Sequence, residues 1–408
     1  MALCCETMTI TKKPKTRVSG WVLFVAALFS FFSGGVCTGC ESGDVTVNLL
    51  AYDAKSDSYS FKDVKITTLD DVGKLAGSTT RLLGEASLEL DYQSDQLEWK
   101  EMGRPVAFQA IEENGALVPE DFHSLAMVST YYNLELSRNF FVEDLGLPED
   151  AMGVLPTYYW PKLRIIEKNG DESEMVDNAF YMYMTEKEQA FFIVPFNDLQ
   201  WIPMSLNTGV ITHEYTHAVF DVLVFGLADL VLLTDSGTNF LYGINEGSAD
   251  FMAIARTGDP RFIRHSIPFG LMGSLCNGAL KDVVRDASTQ NSFTWAHDNS
   301  ARTLAPLDFC PYEIGAFFAS MLYEIAGAID EPPSKSPSSE ALKKVAVWLL
   351  DSLDELGTQL PQNFEIWHLL SLFVLQIESQ TDRDTACELI DKYDITQDDL
   401  LYIHVAGC

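Results

Sequence analysis

Residues 211–221 read Ile211-Thr212-His213-Glu214-Tyr215-Thr216-His217-Ala218-Val219-Phe220-Asp221. The two histidines stand four positions apart, just over one helical turn, so on a helix His213 and His217 share a face and can bring two imidazole nitrogens to one Zn²⁺ at about 2.1 Å. Glu214 sits beside them, where its carboxylate can take a proton from a water that the metal has acidified to a pKa of about 7. Two buried histidines sharing a face by accident would give the same letters. The chain holds only seven histidines, and a chance match to HExxH is then on the order of one in a hundred. The segment points to a metal-holding helix.

A catalytic zinc needs a third protein ligand from another element and one open position. Ile244-Asn245-Glu246-Gly247-Ser248-Ala249-Asp250-Phe251 offers one. Glu246 and Asp250 are again one helical turn apart, and the small residues between them let this second helix come close to the first. Glu246 is the expected ligand. Asp250 is expected to hold His213 in the tautomer and orientation that ligation requires. Taken alone, the two carboxylates would read as a solvated acidic face; beside HExxH they read as the rest of a metal site.

HEYTHAVFD followed by NEGSAD resembles the gluzincin metallopeptidases, thermolysin and its relatives, whose pattern is HExxHxxxD and then NExxSD. The resemblance implies that His213, His217 and Glu246 are zinc ligands, Glu214 the catalytic base, and Asp221 and Asp250 supporting carboxylates. Ser248 stands one place from the family's serine, while the Glu-to-Asp spacing is kept. Upstream, Asp177-Asn178-Ala179-Phe180-Tyr181 resembles the NAFW segment in which the family's edge strand binds substrate main chain. That implies side-chain contacts from Asn178 and main-chain contacts from Ala179 to a peptide added at the sheet edge. Unaided, an Asn-Ala step suggests only a turn or a strand end.

Downstream, Asp308-Phe309-Cys310-Pro311-Tyr312-Glu313-Ile314-Gly315 resembles the HxxG helix start of the fungalysin branch, with Tyr312 where histidine would stand. A phenol can donate one hydrogen bond to a developing oxyanion, so Tyr312 is one reading of that role. His297, in Trp295-Ala296-His297-Asp298, is another, and a Tyr312 that only packs at a helix end is a third. The resemblance covers about residues 120–328. It does not extend to calcium, because no matching cluster of carboxylates follows Glu246.

Outward from these motifs the chain changes character. Residues 45–114 favour short strands separated by polar turns, such as those at 45–49 and 86–90. Aromatic and aliphatic residues at helical spacing fill 120–145; strand-like runs follow at 163–167, 179–184 and 190–195; and helical spacing dominates 310–328, 339–356, 364–379 and 385–393. The apolar stretch 222–243, interrupted by Asp229, is too short to span a bilayer and reads as a buried helix and turn. Pro332 to Pro337 is an exposed loop. The expected fold class is α+β with a zincin-type metallopeptidase fold: a sheet-containing half over 120–243, a helical half over 244–408, and a β-rich segment over 40–119 acting as propeptide or adaptor.

The first 39 residues read as an export signal. Lys12, Lys13, Lys15 and Arg17 precede an apolar run from Trp21 to Phe32, shorter than the roughly 20 residues a spanning helix needs. Small residues before Cys40 resemble a bacterial lipoprotein processing site, with Cys37 where the family usually has Leu, so either lipidation at Cys40 or simple secretion is open. Cys276, Cys310, Cys387 and Cys408 remain for two disulfides in an oxidising compartment, by any of three pairings. With 27 Lys and Arg against 59 Asp and Glu, the net charge of −32 leaves no basic face for nucleic acid. The expectation is an exported zinc endopeptidase with one catalytic ion and a peptide or protein substrate. Two alternatives stand beside it: a surface lipoprotein that keeps the metal fold as a binding module, and a zinc exopeptidase.

Overall fold

Hairpins build the front of the molecule. A computed structural model of the chain describes residues 44–94, 96–185, 188–196, 200–226, 233–267, 285–306, 308–393 and 405–408. β1 (Val45–Asp53) and β2 (Ser58–Ile66) pair antiparallel along their whole length, Val45 opposite Ile66 and Asp53 opposite Ser58. β3 (Leu69–Asp71) and β4 (Ala76–Gly77) lead into the long β5 (Thr80–Asp91), which turns back as β6 (Gln96–Pro105). β7 (Ala110–Glu113) and β8 (Ala116–Pro119) then join the first hairpin in a sheet of order β2-β1-β8-β7.

α1 (Phe122–Asn139) follows, started by the Asp121 side chain accepting from the Ser124 N–H. The chain returns to β structure as β9 (Leu155–Tyr159), β10 (Lys162–Ile166), β11 (Glu172–Glu174), β12 (Ala179–Thr185) and β13 (Glu188–Ile193). These strands sit with β5 in one sheet of order β11-β10-β5-β9-β13-β12. β5 therefore lies inside the sheet that carries β12, and the sheet contains residues from both sides of position 119. β12 is its edge.

Among the described residues beyond β13 the main elements are helices: α2 (Thr208–Phe220), α3 (Asp235–Thr257), α4 (Trp295–Thr303), α5 (Pro311–Ile329), α6 (Ser339–Gln359), α7 (Ile366–Gln376) and α8 (Gln380–Lys392). The α+β class with a β-rich front and a helical back half is the observed one. Among the described residues, the larger of two apolar clusters runs from Val47 and Leu49 of β1, through Phe191, Tyr215 and Phe220, to Phe373 of α7, and the smaller lies on the sheet that carries β12, around Leu88, Phe180 and Phe192. α2 is buried on every side. The glycine in the second motif serves a different neighbour from the expected one: a Cβ on Gly247 would stand 2.7 Å from the Gly315 carbonyl oxygen, so it permits the close approach of α3 to α5.

β9 and α4 were not among the expected elements; Pro156 obscures the strand pattern, and α4 is too polar to show an apolar stripe. Cys387 and Cys408 form a disulfide with a Cα–Cα distance of 5.5 Å, and Cys310 is also disulfide-bonded. The signal segment, Cys40, Cys276 and residues 227–232 lie outside the described residues. Among the described residues no helix is long and apolar enough to cross a membrane.

Candidate metal centre

α2 begins where Asn207 caps it, its Oδ1 accepting from the Gly209 and Val210 N–H groups. One turn later the helix presents His213, and a further turn later His217. α3 lies across it, capped by Thr234 and stopped by Gly258 in the left-handed conformation. Its buried middle carries Asn245, Glu246 and Asp250 towards the two histidines. His213 Nε2 is 3.4 Å from Glu246 Oε2, His217 Nε2 is 3.9 Å from the same oxygen, and the two Nε2 atoms are 3.0 Å apart.

The outer nitrogens fix what the inner ones can be. His213 Nδ1 lies 2.9 Å from Asp250 Oδ1, and His217 Nδ1 lies 2.9 Å from Asn245 Oδ1. With each Nδ1 donating its proton outward to an oxygen, both Nε2 atoms present lone pairs to each other and to Glu246 Oε2. That oxygen is buried and has no hydrogen-bond partner. Three lone-pair donors facing one point need a positive charge between them. Tetrahedral zinc with bonds of 2.0–2.1 Å separates its ligand atoms by about 3.4 Å, which the observed separations bracket. The donor set fits a divalent cation.

Where no cation stands between these groups, a proton on His213 supplies the charge. Burial opposes a charged His213, but Asp250 and Glu246 beside it overcome that and push it up to about 9. Burial holds His217 down at about 4. Glu246 stays below the usual carboxylate range against its burial because His217 and His213 face it.

Around this centre stand further groups. Glu214 is buried, which pushes its carboxyl up to about 7. Its Oε1 lies 4.0 Å from His213 Nε2, and its Oε2 accepts the Tyr181 N–H of β12 at 3.0 Å. The edge strand is thus held against the base. Asn178 and Ala179 open that strand, and the Asn178 side chain accepts the Ala179 N–H at 2.9 Å. Asp221, just past α2, accepts from the Tyr181 hydroxyl at 2.9 Å and from Gln189 Nε2 at 2.8 Å, so it ties α2 to β12 and β13. Burial raises its carboxyl to about 6.

Arg285 was not singled out by any motif, yet it enters the centre. Its Nε and Nη2 reach Asp250 at 3.0 and 2.5 Å, and the pair keeps the Asp250 carboxyl well below its ordinary range despite burial. The guanidinium lies 4.5 Å from the centroid of the Tyr312 ring. Tyr312, in the first turn of α5, is therefore at the border of the centre. His297 is on α4, where the groups around it are Thr294, Ser300 and Glu313. Asn245 carries no expected role in the second motif, and its adjacency to Glu246 is the sequence signal for it.

A second trio of metal-capable groups, Asp57, Asp259 and His265, lies elsewhere. Asp57 Oδ2 is 2.6 Å from Arg264 Nη2 and 3.6 Å from Arg261 Nη2, so guanidinium groups already supply the positive charge there.

No family model matches the chain. It is 30% identical to the extracellular metalloproteinase mep of Aspergillus terreus over 125 residues, 30% of this chain and 18% of that protein. It is 31% identical to the extracellular metalloproteinase MEP of Fusarium vanettenii over 126 residues, again 30% of this chain and 18% of that protein. The chain thus matches less than a fifth of the length of either relative. Among solved structures it is similar to the precursor of protealysin, a metalloproteinase from Serratia proteamaculans, with a TM-score of 0.42, 12% identity, and 80% of this chain and 91% of that chain covered.

Proposed function

We propose that the chain is an exported zinc-dependent endopeptidase of the gluzincin class, thermolysin-like in its motifs and similar to fungalysins in the start of α5. The observation that carries this is the trio of inward lone pairs on His213, His217 and Glu246, one of them on a buried oxygen without a partner. The partial likeness to two fungal extracellular metalloproteinases supports the same reaction class. Export rests on the basic and apolar segment at residues 12–32, and membrane attachment through a lipid on Cys40 is part of the reading.

Zinc, when bound by His213, His217 and Glu246, would supply Lewis acidity to a scissile carbonyl and to the attacking water. Glu214 takes the proton from that water and returns it to the leaving amine, a task suited to a carboxyl that burial holds near neutrality. Tyr312 donates to the charge that develops on the carbonyl oxygen, and Arg285, lying over its ring and paired with Asp250, holds the phenol in place. The peptide lies along the edge strand β12, met by the Asn178 side chain and the Ala179 main chain.

The test is casein hydrolysis by the purified full chain with and without 1,10-phenanthroline, repeated with Glu214→Gln. Chelator-sensitive cleavage into internal fragments is expected, with Glu214→Gln keeping its zinc and losing about 10²- to 10⁴-fold in rate. Undiminished hydrolysis by Glu214→Gln would overturn the mechanism, and release of single residues only would replace endopeptidase by exopeptidase.

A further inference from the structure

We propose that the tip of the β1–β2 hairpin is a positioning device for the metal-holding helix, acting through Asp57. Asp57 sits in the turn with φ +47, a left-handed conformation that Asp tolerates better than most residues. Its carboxylate faces three groups on one short segment just after α3: Arg264 Nη2 at 2.6 Å, His265 Nε2 at 3.5 Å and Arg261 Nη2 at 3.6 Å. From the hairpin side the Tyr52 hydroxyl donates to it at 3.2 Å. The buried Asp259 fixes the same segment from within, its Oδ2 2.8 Å from His265 Nε2 and its Oδ1 accepting the Arg261 N–H at 2.9 Å. The rings of Tyr52, Tyr59 and His265 close the seam with centroids 5.3 to 5.5 Å apart.

That segment is also what holds the start of α2. While Asn207 Oδ1 caps the helix, its Nδ2 donates to the Phe262 carbonyl and to Ser266 Oγ, both at 2.9 Å. The Phe262 ring fills the notch left by Gly209, where a Cβ would stand 2.5 Å from it. Gly209, His213 and His217 repeat every four residues and so share one face, and the Phe262 ring centroid is 6.3 Å from that of His213. A continuous set of contacts therefore runs from Asp57 through residues 261–266 to the cap, the first turn and the first histidine of α2. Asp57 touches no reacting group. It is a positioning residue, and only its effect on the metal rests on the function proposed above.

Asp57→Asn removes the charge, keeps the shape and accepts the same φ. In the full chain at low salt it is expected to weaken zinc binding, read by competition with a chromophoric chelator, by about two- to fivefold. The difference should shrink near 0.5 M NaCl, where exposed ion pairs are screened. In the metal-free chain, amide exchange over residues 208–213 should rise several-fold while exchange in α6 stays as it was. Arg264→Gln should behave alike, the double variant should cost no more than either single one, and Asp57→Glu, which keeps the charge at a φ less suited to glutamate, should restore part of the affinity. Unchanged zinc affinity and exchange in Asp57→Asn, or costs that add fully in the double variant, would overturn the proposal. A parent chain that binds no zinc would defeat the proposed function, and the exchange measurement would still decide the fate of the hairpin clasp.

Discussion

His213, His217 and Glu246 form one trio of metal-capable side chains and Asp57, Asp259 and His265 another, with the ligand atoms of each within 4.8 Å of one another. They differ in where their positive charge comes from. In the first, the outer nitrogens lie against Asp250 and Asn245, the inner atoms are all lone pairs once His213 is neutral, and all three residues are buried. In the second, Arg261 and Arg264 occupy the carboxylate and Asp57 is exposed. Equal spacing thus leads to opposite chemistry: a centre that needs a cation and a clasp that already has two.

Tyr312→Phe keeps the ring over Arg285 and removes only the hydroxyl. If that hydroxyl serves the oxyanion, kcat should fall by about 10²-fold or more with zinc retained and KM little changed. An unaltered kcat would make Tyr312 a packing residue.

Asp250→Ala strips His213 of the acceptor that fixes its tautomer and leaves Arg285 without its carboxylate. Zinc affinity should drop by about 10- to 100-fold, measured by chelator competition, and Asn245→Ala should fall at the lower end of that range. Affinity equal to the parent's in both variants would mean that the inward lone pairs do not depend on their outward partners.

Asp221 extends the contrast to a buried carboxylate that has hydroxyl and amide donors in place of a cation. Asp250, facing Arg285 and His213, is held low; Asp221 is raised to about 6. A folded-state value above the unfolded one means that the native protein favours the protonated form, so stability is given up as pH rises from about 4 through 6. Asp221→Asn does not titrate. Relative to the parent it should gain on the order of 2 kcal/mol in unfolding free energy across that window. A parallel pair of stability curves from pH 4 to 7.5 would show that Asp221 is not strained by its charge.

Much of the site was legible because its parts are local. His213 with His217, and Glu246 with Asp250, each repeat at the helical period, so one helix face predicts their direction without knowledge of the fold. What escaped was set by tertiary approach. Arg285 comes from 35 positions beyond Asp250 with no periodic neighbour to mark it. Tyr181 contributes a backbone N–H to Glu214, which its side chain cannot advertise. Gly247 was readable as a point of close approach, but its partner Gly315 belongs to a later helix. Most of the longer strands and helices were visible in alternation and stripe, whereas β9 and the short, wholly exposed β11 carried no such pattern. The placement of β5 inside the sheet that ends at β12 depends on long-range pairing, which no local pattern encodes.

His213, His217 and Glu246, on the function proposed above, together hold one divalent cation. Zinc content of the purified full chain after dialysis, measured by mass spectrometry of the metal alongside Glu246→Gln and His217→Ala, tests it most directly. One zinc per parent chain is expected, with well under a tenth of that in either variant. A parent without zinc, or variants that keep a full equivalent, would contradict it.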